Sequence, residues 1–269
     1  MKRNFTLTEL LVVIAIIGVL AAMTMPALSF ARAAGQRTNC INNKSNVIKA
    51  MQIYANKNDD MIPFKLAGKS YAYILVGDAY SQVAGSSRPT TWKFNTAYLQ
   101  PALLTCTVAN VNYNDGDEST GRINNAFGML NVIEDTWTDK WKGKTGTNDP
   151  TIRKQFGRFV VGSGDNVSYM MGRVKNASLL PMFVDSFKEM EDGDSKPVSI
   201  WNFKLWTSVA DADKGKIGMP GMIHGDQTTA AYADGSARAV SARELASESG
   251  LRYTLNEELE VLLTNGSPD

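Results

Sequence analysis

The sequence predicts an α+β protein in which one long N-terminal helix packs its second half on a small antiparallel sheet. An unbroken apolar run from Leu10 to Met23 continues more loosely to Leu28. Short β-prone runs separated by turn residues fill the C-terminal half of the chain, as is typical of antiparallel strands. With 269 residues, of which 43% are apolar, the chain is long enough to bury a core.

The apolar run approaches the length that a membrane-spanning helix needs, which is about 20 residues. It reaches that length when Thr24 and Pro26 are included. Lys2 and Arg3 precede the run, and a basic flank on the short side predicts that the N-terminus stays in the cytoplasm. The body of the protein is then expected on the other side of the membrane.

Helical patterning continues beyond the apolar run. Apolar residues recur at steps of three, four or seven, as on one face of a helix: Phe30, Ala34, Ile41, Ile48, Met51 and Ala55. We expect this helix to end between Asn56 and Asp60, where polar residues replace the apolar face. A cleaved secretory signal peptide, with a site near Ala31 to Ala34, and a plain signal anchor are the alternatives. Neither accounts for the continuing helix, nor for a carboxylate, Glu9, at the mouth of the run.

The residues from Phe5 to Gly18 resemble the signature of type IV pilins and type II secretion pseudopilins. This resemblance implies that a prepilin peptidase cleaves between Asn4 and Phe5, and that the new Phe5 amine is methylated. It also implies that Glu9 is needed for methylation and assembly, and that Pro26 is the mid-helix proline where the packed helix loosens. Asn4 stands where the family usually has glycine, and Thr8 replaces a usual apolar residue.

The resemblance implies a structural subunit, a pilin or pseudopilin, rather than an enzyme. Its expected parts are a leader (1–4), a transmembrane and filament-stem helix (5–28), an amphipathic continuation (29–57) and an extracytoplasmic α+β domain (58–269). Its expected partners are copies of itself, other pilin-like subunits, the prepilin peptidase and an inner-membrane assembly platform. It would cross the bacterial inner membrane once and join a periplasmic or surface filament.

The role of Glu9 also follows from electrostatics. A carboxylate buried among apolar stems is protonated unless a cation lies beside it. The free amine of Phe5 on an adjacent subunit would supply that cation and set the axial register of the two stems.

The rest of the chain predicts short elements. Strands are expected at 159–161, 167–171, 181–185, 201–205, 228–233 and 236–241, and helices at 242–250 and 256–263. Residues 61–128 mix loops with short strands or helical turns, and 136–150 form an exposed insertion. Asp234 and Gly235 are expected to form the hairpin turn between the last two strands.

His224 is the only histidine, and nine residues separate it from Asp234-Gly235. This spacing resembles the C-terminal motif of a large pseudopilin-like bacterial family, although Ser236 stands where that family often has a second histidine. The simplest interpretation is that His224 and Asp234 tie the hairpin by hydrogen bonds. The alternative is a divalent-cation site of His224, Asp226 and Asp234, joined by Asp185 if its strand lies alongside; calcium is the ion to test first.

Two cysteines, Cys40 and Cys106, stand far apart and outside any CxxC spacing, which argues against zinc. Outside the cytoplasm they form either a disulfide or two unpaired thiols, and sequence leaves both open.

Other functions find little support. No Gly-x-Ser-x-Gly elbow is present, and both Gly-Lys-Ser/Thr sequences lack the first glycine of a phosphate loop. We therefore expect no enzymatic activity and no cofactor. A net charge of +1 without basic clusters disfavours nucleic-acid binding. A membrane-anchored surface binding protein and, less favoured, an anchored extracellular hydrolase remain the alternatives.

Overall fold

The computed structural model describes eleven stretches of the chain: 7–66, 69–76, 98–106, 126–132, 154–163, 166–188, 198–199, 202–203, 218–249, 253–255 and 261–263. Asn4 and Phe5, and with them the expected cleavage point, lie outside these residues. So does the expected insertion at 136–150.

One helix dominates the fold. Helix α1 runs without interruption over Leu7–Ala55 and includes Pro26. At about 1.5 Å per residue it is roughly 73 Å long. It ends where the sequence predicts, because a turn follows Ala55 in which Asp59 and Asp60 adopt positive φ angles of 52° and 60°. The predicted long N-terminal helix is therefore confirmed.

The remaining described elements are short. The helices are α2 (Tyr71–Val76) and α3 (Ala242–Ser249), and 3-10 turns cover Pro101–Leu104, Met171–Arg173 and Ala177–Leu179. The strands are β1 (Met61–Leu66), β2 (Lys69–Ser70), β3 (Gly128–Leu130), β4 (Val160–Ser163), β5 (Asn166–Met170), β6 (Pro181–Val184), β7 (Ser186–Lys188), β8 (Val198–Ser199), β9 (Asn202–Phe203), β10 (Met219–Pro220), β11 (Gln227–Tyr232), β12 (Ala237–Ser241), β13 (Tyr253–Leu255) and β14 (Val261–Leu263).

Within the described stretches the strands form several small sheets, where one was expected. Their orders are β12-β11-β6-β3-β9, β2-β1-β5-β4, β10-β7-β8 and β13-β14. Neighbouring strands are antiparallel except for β3 and β9, which pair in parallel. Helix α1 packs on β11, β12, β6 and β1. An α+β architecture with mainly antiparallel sheets is the result.

The hairpin of β11 and β12 forms where the sequence predicts it, with Gln227 opposite Ser241 and Ala231 opposite Ala237. Helix α3 follows directly. Ser241 and Glu244 form a capping box at its start: the Ser241 N–H donates to Glu244 Oε2 at 2.7 Å, and the Glu244 N–H donates to Ser241 Oγ at 3.3 Å. The two reciprocal bonds satisfy N–H groups that lack partners inside the helix.

The prediction of a helix over 256–263 is wrong at 261–263, whereas 256–260 lie outside the described residues. Val261–Leu263 is strand β14, and it pairs in antiparallel fashion with Tyr253–Leu255, so that Tyr253 faces Leu263. The residues of both segments, mainly β-branched, aromatic or leucine, suit a paired strand. A short apolar run has no periodicity long enough to distinguish the two structures.

Candidate functional site

The surface of α1 from Leu7 to Leu28, which we call the stem, carries a continuous apolar face that is exposed in the described part of the chain. Its large apolar side chains expose between 46% (Val13) and 80% (Leu7) of their surface. The helix is long and apolar enough to cross a membrane. Over these residues it spans roughly 33 Å, which matches a hydrocarbon core of about 30 Å.

Two polar side chains near the end of the stem bond to the helix itself. Thr24 Oγ1 donates to the Ala21 carbonyl at 3.0 Å, and Ser29 Oγ donates to the Pro26 carbonyl at 2.8 Å. Such back-bonding removes hydroxyl donors from an apolar surrounding. Glu9 is exposed in the first described turn of α1. The stem is therefore compatible with lipid or with other apolar helices along its length.

The second half of α1 is buried, and we call the buried face from Cys40 to Ala55 the junction. Its inward residues follow helical spacing: Cys40, Lys44, Val47, Ile48, Met51 and Ala55. Phe30 and Ala34 lie in α1 as predicted, but Phe30 is 75% exposed and Ala34 is also exposed. We call the described residues that follow α1 the head, and it contacts α1 as far toward the stem as Arg37, whose Nη1 donates to Gln227 Oε1 at 2.8 Å.

A disulfide ties the upper end of the junction to the head. Cys40 and Cys106 are bonded, with their Cα atoms 5.2 Å apart and a sequence separation of 66. The sequence left this pairing open. The structure now shows that it links α1 to the segment that follows the 3-10 turn Pro101–Leu104. A cross-link over a loop of this length restricts the unfolded chain strongly.

One turn below Cys40, a buried ion pair joins the helix to the sheet. Lys44 Nζ lies 2.6 Å from Asp185 Oδ1, and the two side chains are 0% and 1% exposed. Lys44 Nζ also donates to Thr229 Oγ1 at 2.6 Å and lies 3.8 Å from the centre of the Phe127 ring. Asp185 follows β6, and Thr229 lies in β11 beside it, so strand pairing brings the two partners together.

The second oxygen of Asp185 is also satisfied. Asp185 Oδ2 accepts hydrogen bonds from the Thr229 N–H at 3.2 Å and from Thr229 Oγ1 at 2.8 Å. Burial is the largest single influence on the pKa of Asp185 and would raise it, but the charges of Lys44 and His224, together with the hydrogen bonds from Lys44 and Thr229, hold that pKa below the usual value. Burial lowers the pKa of Lys44 to about 8, although the charge of Asp185 opposes the shift.

His224 completes this buried polar group. Its Nε2 lies 3.7 Å from Asp185 Oδ2 and 3.5 Å from Cys106 Sγ. His224 therefore bridges the disulfide and the ion pair. The prediction that Asp185 comes close to His224 if its strand lies alongside is fulfilled, because β6 and β11 are neighbours.

Asp234 has a separate, local role. Its Oδ1 accepts hydrogen bonds from the Ser236 N–H at 2.9 Å and from Ser236 Oγ at 2.7 Å, which forms the tight turn expected at Asp234-Gly235. Gly235 has a φ of 92°, and a Cβ there would lie 2.7 Å from Nε2 of Gln52 on α1. The turn therefore needs glycine both for its backbone angle and because it rests on the helix.

The alternative of a cation site at His224, Asp226 and Asp234 is not supported by the described side chains. The group of His, Cys, Asp and Glu side chains found close enough to share an ion there is Cys40, Cys106 and His224, with ligand atoms within 4.8 Å of one another. Both of its sulfur atoms are committed to the disulfide. His224 lies next to Asp185, whereas Asp234 bonds within its own turn. The two residues lie at opposite ends of β11.

Sequence reasoning missed Lys44 and Thr229. The available signal was a single lysine standing four residues after Cys40 on a face that otherwise reads as apolar. A lysine at such a position needs a buried carboxylate partner. The sequence offered Asp185 at the end of a predicted strand, but nothing in it paired the two.

Comparison with known proteins adds no relative: no family model matches the chain, and no curated protein or solved structure matches it either.

Proposed function

We propose that this chain is a pilin-like structural subunit that is processed at Phe5 and assembled through its stem into a type IV pilus-like filament or a secretion pseudopilus. The observation that carries the proposal is the division of α1. The same continuous helix is exposed and mainly apolar in its first half, and it forms part of the core of the head in its second half.

An exposed apolar stem of this size requires a partner. Thirteen large apolar side chains between Leu7 and Leu28 are exposed. Burying one such side chain contributes about 1.5–3 kcal/mol, so the stem as a whole gains tens of kcal/mol on transfer out of water. Lipid satisfies this before assembly, and neighbouring stems satisfy it in a filament.

The resemblance of residues 5–18 to prepilins distinguishes this function from a plain anchor. In the proposal, the peptidase removes residues 1–4, and the Phe5 amine of one subunit neutralises Glu9 of the next. A rigid link between stem and head then transmits the position of the stem to the filament surface. The disulfide and the Lys44–Asp185 pair both provide such a link.

The test is the mass of the mature N-terminus. The full chain is produced in a bacterial host with and without a prepilin peptidase, extracted in detergent and analysed by peptide mass spectrometry. We expect an N-methylated Phe5 only in the host with the peptidase. Glu9→Gln should leave cleavage intact while reducing methylation and filament incorporation, and Glu9→Asp serves as the matched control that keeps the charge. A mature N-terminus near Ala33 or Ala34 would instead indicate a secretory signal peptide and would overturn the proposal.

A further inference from the structure

The contact between Lys44 and Asp185 brings an amine and a carboxyl group together in a pocket that is closed to water. The two groups are 2.6 Å apart, and their side chains are 0% and 1% exposed. Helix α1 fixes one partner and the end of β6 fixes the other, so both are held by regular structure on opposite sides of the contact.

We propose that the Lys44 amine and the Asp185 carboxyl condense into an intramolecular amide, a covalent cross-link between α1 and the central sheet of the head. The inference goes beyond the role in filament assembly and does not depend on it. It assigns Lys44 and Asp185 as a self-modification site in which the chain is its own substrate.

The surroundings activate the amine. A neutral amine is the nucleophile, and burial lowers the pKa of Lys44 to about 8, which leaves roughly one lysine in ten neutral at pH 7. The Phe127 ring, 3.8 Å from Nζ, closes the pocket on that side. Holding the two reacting groups in contact replaces a bimolecular encounter by an intramolecular step.

The surroundings also prepare the carboxyl group. A proton that passes from Nζ to Oδ1 along their hydrogen bond converts the ion pair, which is the predominant form, to the minor but reactive pair of a neutral amine and a carboxylic acid. The Thr229 N–H and hydroxyl both donate to Oδ2. They are placed to stabilise negative charge on that oxygen when the carbon becomes tetrahedral. His224, with Nε2 at 3.7 Å, faces the same oxygen.

The atoms balance without any further reactant. Nζ attacks Cγ of Asp185, and the Nζ–Cγ bond forms. Nζ then passes a second proton to Oδ1, the Cγ–Oδ1 bond breaks, and Oδ1 leaves as water. The ammonium has lost two protons and keeps one as the amide N–H, and Oδ2 remains as the amide oxygen. No oxidation or reduction takes place.

The experiment is peptide mapping of the full-length chain, extracted in detergent, denatured, reduced, alkylated and digested with trypsin. Trypsin does not cleave after an amidated lysine. We therefore expect peptide 38–49 joined to peptide 176–188, with a mass lower by one water than the sum of the two. Peptides 38–44 and 176–188, recovered separately and in full yield after prolonged incubation of the folded protein, would overturn the proposal.

Three variants sharpen the result. Lys44→Arg keeps the positive charge and must abolish the joined species. Asp185→Asn must give a joined species identical in mass to that of the parent chain, because the same amide forms with loss of ammonia; a different mass would overturn the assignment. Thr229→Val removes one donor to Oδ2 but keeps the shape, and it should slow the appearance of the joined species several-fold; an unchanged rate would overturn the role of Thr229.

Folding of each variant is checked by the disulfide-linked Cys40–Cys106 peptide in an unreduced digest. Asp185→Asn keeps a side chain of the same size that can still form hydrogen bonds, and Thr229→Val keeps the shape of threonine. These two variants therefore still test the cross-link if Lys44→Arg does not fold. The map is also independent of Phe5 processing, so failure of the cross-link and failure of the filament role are distinguishable.

Discussion

The two halves of helix α1 contrast sharply although one unbroken helix carries both. In the stem, Ile16 is 55% exposed and Leu20 is 58% exposed, whereas in the junction Cys40, Lys44 and Ile48 are completely buried. The stem is mainly apolar, and no buried core residue of the described chain lies within it. The junction contains a lysine and a cysteine but forms the centre of the core.

This contrast teaches that hydrophobicity alone does not locate the core of the protein. Within the described residues the most apolar segment is also the most exposed, which the proposed contacts with lipid and with other stems explain. The junction is stabilised by specific pairs: a disulfide, a buried ion pair and a close turn at Gly235. Changes in the junction should therefore affect folding of the head, and changes in the stem should affect only association.

The largest effect is expected from Lys44→Met. Removing the amine leaves the buried Asp185 carboxylate without the Lys44 ammonium and also removes one half of the proposed cross-link, and breaking a buried pair on one side costs about 3–5 kcal/mol. Denaturant unfolding of the detergent-extracted protein measures the loss. The matched control is Lys44→Met combined with Asp185→Leu, which removes the stranded charge and should be more stable than the single variant. Equal stability of the two would contradict the burial of Asp185.

The next largest loss of stability is expected when both cysteines are replaced, as Cys40→Ala with Cys106→Ala. The disulfide closes a loop of 66 residues, and loss of such a cross-link costs about 2–4 kcal/mol. Thermal unfolding of the variant and of the parent, each with and without reductant, measures the effect. Reductant should destabilise the parent and leave the variant unchanged; a parent insensitive to reductant under unfolding conditions would contradict the cross-link.

A smaller effect is expected from Gly235→Ala. The methyl group forces strain at a φ of 92° and meets Gln52 of α1 at 2.7 Å, at a cost of about 2 kcal/mol. Combining it with Gln52→Ala should recover the steric part but not the backbone part. Full recovery in the double variant, measured by the midpoint of denaturant unfolding, would show that the backbone strain is absent.

The smallest effect on the head is expected from Ile16→Ala in the stem. Because Ile16 is 55% exposed and lies outside the described core, the free energy of unfolding of the head should change by less than about 0.5 kcal/mol. Membrane retention or filament yield should fall instead, as seen by fractionation. Ile48→Ala is the matched control, since the same substitution at a fully buried site should cost about 2–5 kcal/mol.

The elements that the sequence predicted correctly are those with a local signal. Helix α1 and its end at Ala55 follow from the long apolar run and from the polar turn after it. The β11–β12 hairpin follows from alternation around Asp234-Gly235. In contrast, the segment of β14 was predicted as a helix. Three apolar residues are too few to show a periodicity, and their strand forms only because it pairs with β13.

The candidate site was only partly predictable for the same reason. Lys44 and Asp185 lie 141 residues apart in sequence, and their contact depends on the docking of α1 against the pairing of β6 with β11. His224 was identified as notable, but its partner was expected to be Asp234 in the same hairpin. The structure instead directs its side chain to Asp185 and Cys106, which no local pattern encodes.

The central claim is that the stem of α1 packs against other subunits while the junction belongs to the head. Photo-crosslinking tests it directly, with a photoreactive residue placed at Ile16 or at Ile53, which are 55% and 51% exposed in the single chain. In cells that process and assemble the chain, Ile16 should crosslink to another pilin-like chain much more strongly than Ile53, and Glu9→Gln should reduce that product. Crosslinking of Ile16 to lipid alone, unchanged by assembly, would contradict the claim and leave α1 as a simple membrane anchor.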